Sequence, residues 1–158
     1  MSGMVNTFMS SYELKEVDFR VIKEDFSRYM LEDGTTIKIK IVLRRVFFSP
    51  INTPEGYPTD SAYDTANAAV GVSVPQKLKR SPSSEPFNPL VDKGEEINFR
   101  EQEINEQEYV TDNGFRIFIK PIITKVFRYN KYNQLGEPIY NVMSQQISNV
   151  EKMQSTGS

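Results

Sequence analysis

A chain of 158 residues with 38% apolar side chains has material for one modest core, and its net charge of -2 supplies no global field to recruit nucleic acid or an anionic membrane. It contains no Cys, His or Trp. Disulfides, thiolate and imidazole metal sites, and nucleophiles activated by Cys or His are thereby excluded, leaving oxygen-ligated cations as the only metal candidates.

Met1 to Ser11 has no basic stretch followed by an apolar one, and no apolar run approaches the roughly 20 residues of a membrane helix. We expect a flexible N-terminus over 1–11 and a soluble, cytoplasmic protein without a membrane partner. From there the chain repeats itself. Shifted by 80 residues without a gap, Glu16 to Pro58 matches Glu96 to Pro138 at 12 of 43 positions, including Phe19/Phe99, Arg20/Arg100, Tyr29/Tyr109, Gly34/Gly114, Lys40/Lys120 and Val46/Val126. Average residue usage gives roughly two or three such identities by chance. The reading is duplication of a unit about 80 residues long.

The first unit, 12–76, begins with Val17 to Lys23 and Ser27 to Leu31, both read as strands. Asp33-Gly34 follows, a dipeptide suited to a tight hairpin turn with φ > 0. Ile37, Ile39, Ile41 and Leu43 then alternate with Lys38, Lys40 and Val42, the period of two that marks a half-buried strand. Beyond Val42 both faces turn apolar, which predicts burial on both sides and a bulge near Arg44 and Arg45. Ala66 to Val74 reads as a short strand.

Ser49 to Glu95 holds seven of the nine prolines, and 77–90 reads as a flexible linker or long surface loop. In the second unit, 91–150, Ile97 to Glu103 and Gln107 to Thr111 precede the Asn113-Gly114 turn. Gln102 to Glu108 is polar enough for an exposed helical turn or loop. Pro121 interrupts the following strand and must sit at an edge or bulge, where no ladder donor is needed. Val126 to Tyr132 and Ile139 to Ile147 form a further hairpin about Gly136 and Pro138. A flexible tail is expected over 151–158.

The fold class is therefore all-β, two related hairpin-containing units packed about a pseudo-twofold axis as one barrel or a pair of small barrels. The units resemble small barrels of the Sm, SH3 and swapped-hairpin kinds in shape alone, without their defining motifs, and shape does not fix function.

Few residues single themselves out for chemistry. Arg20, Lys38, Lys40, Arg100, Arg116, Lys120 and Arg128 are candidate contacts for an anion or a nucleic acid, with aromatic side chains close by in sequence for base stacking. Arg20 with Arg100, and Lys40 with Lys120, occupy equivalent places and are candidates to bracket an anion. Against this, the neighbouring segments carry Glu16, Asp18, Glu95, Glu96, Glu101, Glu103 and Glu108, which would neutralise the basic strands. The acidic run Glu95 to Glu108 lacks the pattern of a calcium loop, Ser10-Ser11 and Ser83-Ser84 have no activating base, and Asp33 and Asp112 sit in turns that occupy such side chains. Neither a cofactor nor a catalytic residue is predicted. The expectation is a non-catalytic interaction or assembly subunit with a protein partner or self-association. The alternatives are a single-stranded nucleic-acid-binding barrel and, last, a carboxylate-dependent enzyme.

Overall fold

The structure, a computed structural model, describes residues 13–154, except the side chains of 67–69. Residues 1–12 and 155–158, which include the expected flexible N-terminus, Ser10-Ser11 and half of the expected tail, lie outside the described residues. Glu151 and Lys152 close the last strand.

Ten strands follow in order: β1 (Lys15–Val17), β2 (Phe19–Lys23), β3 (Ser27–Leu31), β4 (Thr36–Phe48), β5 (Ser61–Ser73), β6 (Gly94–Ile97), β7 (Phe99–Glu103), β8 (Gln107–Thr111), β9 (Phe115–Tyr132) and β10 (Pro138–Lys152). No α-helix occurs among the described residues, only a single 3-10 turn, Gln76–Leu78, and no helix is long and apolar enough to cross a membrane.

Two five-stranded sheets face each other. In the first, β4 is paired along one side by β5 and along the other by β3 and β1 end to end, with β7 beyond β3. In the second, β9 is paired by β10 on one side and by β8 and β6 on the other, with β2 beyond β8. Every pairing is antiparallel. The β1–β2 segment therefore begins in the first sheet and, after Asp18, continues in the second, while β6–β7 makes the opposite crossing after Asn98. The amides of Asp112 and Glu32 donate to the Asp18 and Asn98 carbonyls at 2.9 Å, fixing both corners.

The inward residues fill two apolar clusters, each drawn from both sheets. One joins Ile41, Leu43, Val46 and Phe48 to Tyr109, Phe115, Ile117 and Ile119. The other joins Tyr29, Leu31, Ile37 and Ile39 to Ile97, Ile123 and Val126. Phe19 packs edge-on to Tyr109 at 5.6 Å, and Phe99 packs edge-on to Tyr29 at 6.0 Å. At about 25 cal/mol per Å² of apolar area, sealing such residues between the sheets is the main source of stability.

On β4 the ladder to β3 ends at Ile39 and that to β1 begins at Val46. On β9 the ladder to β8 ends at Ile119 and that to β6 begins at Val126. Within each interval one side of the long strand has no neighbouring strand. Two tyrosines from the opposite sheet fill these gaps: Leu43 N–H donates to the Tyr109 hydroxyl at 3.2 Å, and Ile123 N–H to the Tyr29 hydroxyl at 3.4 Å. Pro121 lies in the β9 gap, as a residue without an N–H requires. The bulge expected near Arg44 is present, and β9 has its counterpart at Thr124. The expected burial of β4 beyond Val42 holds for one face only: Val46 and Phe48 are buried, Val42 and Phe47 half-buried, and Arg44 and Arg45 exposed.

The sheets do not close into a barrel. Chain crossings join them on the β2 and β7 side, but on the other side β5 and β10 are both edge strands, unpaired with each other and linked by the Thr65 Oγ1 to Gln146 Oε1 hydrogen bond at 2.8 Å. A crossover that carries a strand from one sheet to the other closes one side and leaves nothing to bridge the opposite one.

The Asp33-Gly34 and Asn113-Gly114 turns also differ from a two-residue hairpin turn, which needs positive φ at its first central position. Only the glycines adopt it, at φ 91° and 93°, and among the described residues no other residue type does. Gly34 N–H donates to the Leu31 carbonyl and Leu31 N–H to Thr35, a three-residue turn with a glycine bulge. The polar Gln102 to Glu108 stretch ends β7, forms a short loop and starts β8. Gln107 is fully buried, its side-chain amide donating to the Asp25 carbonyl and accepting from the Asp25 amide, both at 2.6 Å. The 77–90 segment is laid along β9 and the β9–β10 turn: Arg80 N–H donates to Gly136 O, Ser83 N–H to Tyr132 O, and Phe87 packs on Tyr129 at 4.7 Å.

Candidate interaction surfaces

The basic residues singled out by the sequence fall on different surfaces. Lys38 and Lys40 alternate with buried Ile37, Ile39 and Ile41 on β4 and so project from the outer face of the first sheet. Their ammonium groups lie over the Phe26 ring at 4.6 and 4.9 Å. Arg28 joins them on that face, 3.6 Å from Glu103. Arg100, on β7, is exposed and helps line an open cavity of about 470 Å³ with Met30, Leu31, Glu32 and Phe99. Arg20, on β2 of the other sheet, is not one of its walls. The structure therefore does not bring Arg20 and Arg100 together as a bracket in that cavity.

On the second sheet, Arg116 reaches Glu108 at 3.2 Å, and Lys120 is half-buried opposite Ile147. Arg128 points inward and ties the two sheets at one end of the molecule. Its guanidinium donates to Asp33 Oδ2 at 3.0 Å and lies 3.7 Å from Glu95. The Tyr140 hydroxyl donates to the same Asp33 oxygen at 2.6 Å, and Thr35 N–H donates to Asp33 Oδ1 at 2.9 Å. Burial opposes the charge on Asp33, but the hydrogen bonds from Tyr140, Thr35 and Arg128 outweigh it and hold the carboxyl below its usual range. Burial, then the bond to Asp33, pushes the Tyr140 phenol up, so it remains a donor. This carboxylate is ionised, buried and fully engaged near neutral pH, an arrangement that binds two sheets rather than one poised for proton transfer.

At the positions 80 residues away the chemistry differs. Asn113, Phe115 and Phe48 stand 80 positions from Asp33, Thr35 and Arg128, and there the link is aromatic: Phe48 meets Phe115 at 5.5 Å and Tyr57 meets Phe115 at 6.1 Å. Acidic strands take up further basic residues, with Arg45 on Glu16 at 3.0 Å and Arg44 on Asp64 at 2.6 Å. No cluster of three or more potential metal-ligating side chains occurs among the described residues.

The edges at β2, β7, β5 and β10 differ in character. β2 carries Arg20 and Lys23, and β7 carries Arg100, Glu101 and Glu103, the charged side chains that discourage strands of other molecules from adding on. β10 has no charged residue from Ile139 to Val150, and β5 has one charge, Asp64, already held by Arg44. On β5, Val70 and Val72 pair with buried Ile39 and Ile37 yet remain 46% and 37% exposed, so the core side of this edge is uncovered. On the outer face of β10, Met143 and Ile147 are 46% and 49% exposed. Sequence reasoning missed these edges because their meaning depends on which side of each strand is paired; the signal present was the charge-free run. Comparison with family models, with curated proteins and with solved structures gave no match.

Proposed function

We propose that this protein is a non-catalytic assembly subunit of a soluble cytoplasmic complex, and that it joins other chains through the open β5 and β10 edges. The carrying observation is the contrast between these edges and the charged β2 and β7 edges of the same sheets. A long edge with an uncharged, proline-free run and no strand beside it is a template for strand addition. We further propose that the two halves arose by duplication of one unit and pack about a pseudo-twofold axis. In support, the crossings at Asp18 and Asn98, the gap-filling Tyr109 and Tyr29, and the paired clusters of the core recur at an offset of 80.

The second reading is a surface for single-stranded nucleic acid, favoured by Lys38, Lys40 and Phe26 together on one outer face. Sedimentation of the full chain over a concentration series, alongside anisotropy of labelled single-stranded RNA and DNA at low and near-physiological salt, separates the two. The assembly reading expects concentration-dependent association and no salt-sensitive binding. A monomer that binds either strand with steep salt dependence, and loses it on replacing Lys38 and Lys40 with Gln, would transfer the function to that face.

A further inference from the structure

The geometry of β10 points to a specific occupant for its edge: the β10 strand of a second copy, antiparallel about a twofold axis through Gln145. This inference rests on the assembly reading above and adds the partner and the register.

The backbone shows which groups are free. Met153 N–H donates to Gly114 O on the β9 side, whereas Lys152 N–H turns the other way, to the Tyr57 hydroxyl. Backbone direction alternates along a strand, so odd-numbered residues of β10 bond toward β9, and Val150, Ser148, Gln146 and Ser144 present N–H and C=O to the open side. Thr124, the extra residue at the bulge, belongs to β9, which leaves β10 itself regular. On β5 the residue skipped between Lys40 and Ile41 is Ala68, on the edge strand itself, so that edge is broken where β10 is continuous.

A twofold at Gln145 then sets like against like. Gln145 opposes its own copy, Met143 opposes Ile147 of the partner subunit, and Asn141 opposes Asn149 of the partner subunit, all on the outer face. On the inner face Tyr140 opposes Val150 of the partner subunit. Ser144 and Gln146, whose polar backbone groups are free, fall at hydrogen-bonded positions of the new ladder. With no charge between Ile139 and Val150, self-pairing meets no like-charge repulsion. Tyr57 on the Lys152 amide marks where the ladder stops.

The chain has no cysteine, so Gln145→Cys places one thiol per subunit. At a pair whose backbones do not bond to each other, Cα atoms lie about 4.5 Å apart, within disulfide range. Mild oxidation of this variant should give a covalent dimer, while Asn141→Cys alone should not. Met143→Glu places a carboxylate beside Lys125 within the subunit and against Ile147 of the partner subunit, and should give a folded monomer by circular dichroism and sedimentation. Ser148→Pro removes an outward amide without touching the β9 ladder and should do the same. A wild-type dimer in which Gln145→Cys fails to cross-link, or which survives Met143→Glu and Ser148→Pro, overturns the β10 register but leaves the assembly reading standing. A wild-type chain that remains monomeric at every concentration overturns the pairing; if it also binds single-stranded nucleic acid through Lys38 and Lys40, the assembly reading falls with it.

Discussion

Asp33 carries an unusual share of the linkage between the sheets. It sits in the β3–β4 turn of one sheet, its side chain is 5% exposed, and its donors Arg128 and Tyr140 belong to the other sheet. Its pKa lies below the ordinary 3.8 because these bonds outweigh the cost of burial. A carboxyl lower in the folded than in the unfolded state adds stability that is complete above the unfolded value and is lost as pH falls through the folded one. Asp33→Asn preserves size but gives up the charge-assisted bonds, and urea denaturation at pH 7 should show a loss of about 1.5–3 kcal/mol. The gap between wild type and variant should shrink on acidification below the ordinary carboxylate range. A gap unchanged down to the acid limit would mean that the ionised form is not what holds Arg128 and Tyr140.

At the scale of elements, the gaps in the β4 and β9 ladders are where regular structure gives way to side chains. Leu43 and Ile123 have their amides inside the molecule with no strand to receive them, and the Tyr109 and Tyr29 hydroxyls do so instead. Tyr109 also donates to Glu24 at 3.0 Å, and burial raises its pKa, so its hydroxyl remains protonated. Tyr109→Phe and Tyr29→Phe keep the ring in its cluster and strip the acceptor. Each should cost about 1–3 kcal/mol, the penalty of a buried amide left unpaired. Because the two tyrosines serve different clusters, the double variant should lose close to the sum in equilibrium unfolding, and a clearly smaller loss would show that the gaps communicate.

The strands on either side of these gaps were readable in advance. Ile37, Ile39 and Ile41 announce β4 by their period, and Gly34 and Gly114 announce the turns. The crossings were not readable, since one residue, Asp18 or Asn98, separates two short strands that join different sheets with no break in pattern. β5 was legible only in its C-terminal half, because polar Ser61 and Thr65 occupy the inward positions on either side of Tyr63 and break the apolar period there. The same limit applies to the basic candidates. Their presence on strands could be read from sequence, but whether Arg116 meets Glu108 or Arg128 meets Asp33 depends on pairings made across the whole molecule.

The molecule as a whole is held together by exchange. β2 is paired to β8 of the other half, and β7 to β3, so each half contributes strands to both sheets and both apolar clusters. The chain connecting the halves, from Val74 to Lys93, makes its bonds with the second half, as in Arg80 N–H to Gly136 O, Ser83 N–H to Tyr132 O and Lys131 to Asp92. Two consequences follow. Unfolding of the intact chain should be a single transition by tyrosine fluorescence and circular dichroism, because neither half keeps a complete core without the other. Limited trypsin digestion should also cut at exposed Lys77 without releasing either half: two bands on a denaturing gel, one species eluting with the uncut protein on native gel filtration, and a midpoint that depends more steeply on protein concentration than that of the uncut chain. Halves that separate under native conditions would show that the connecting segment, rather than the exchanged strands, holds the molecule together.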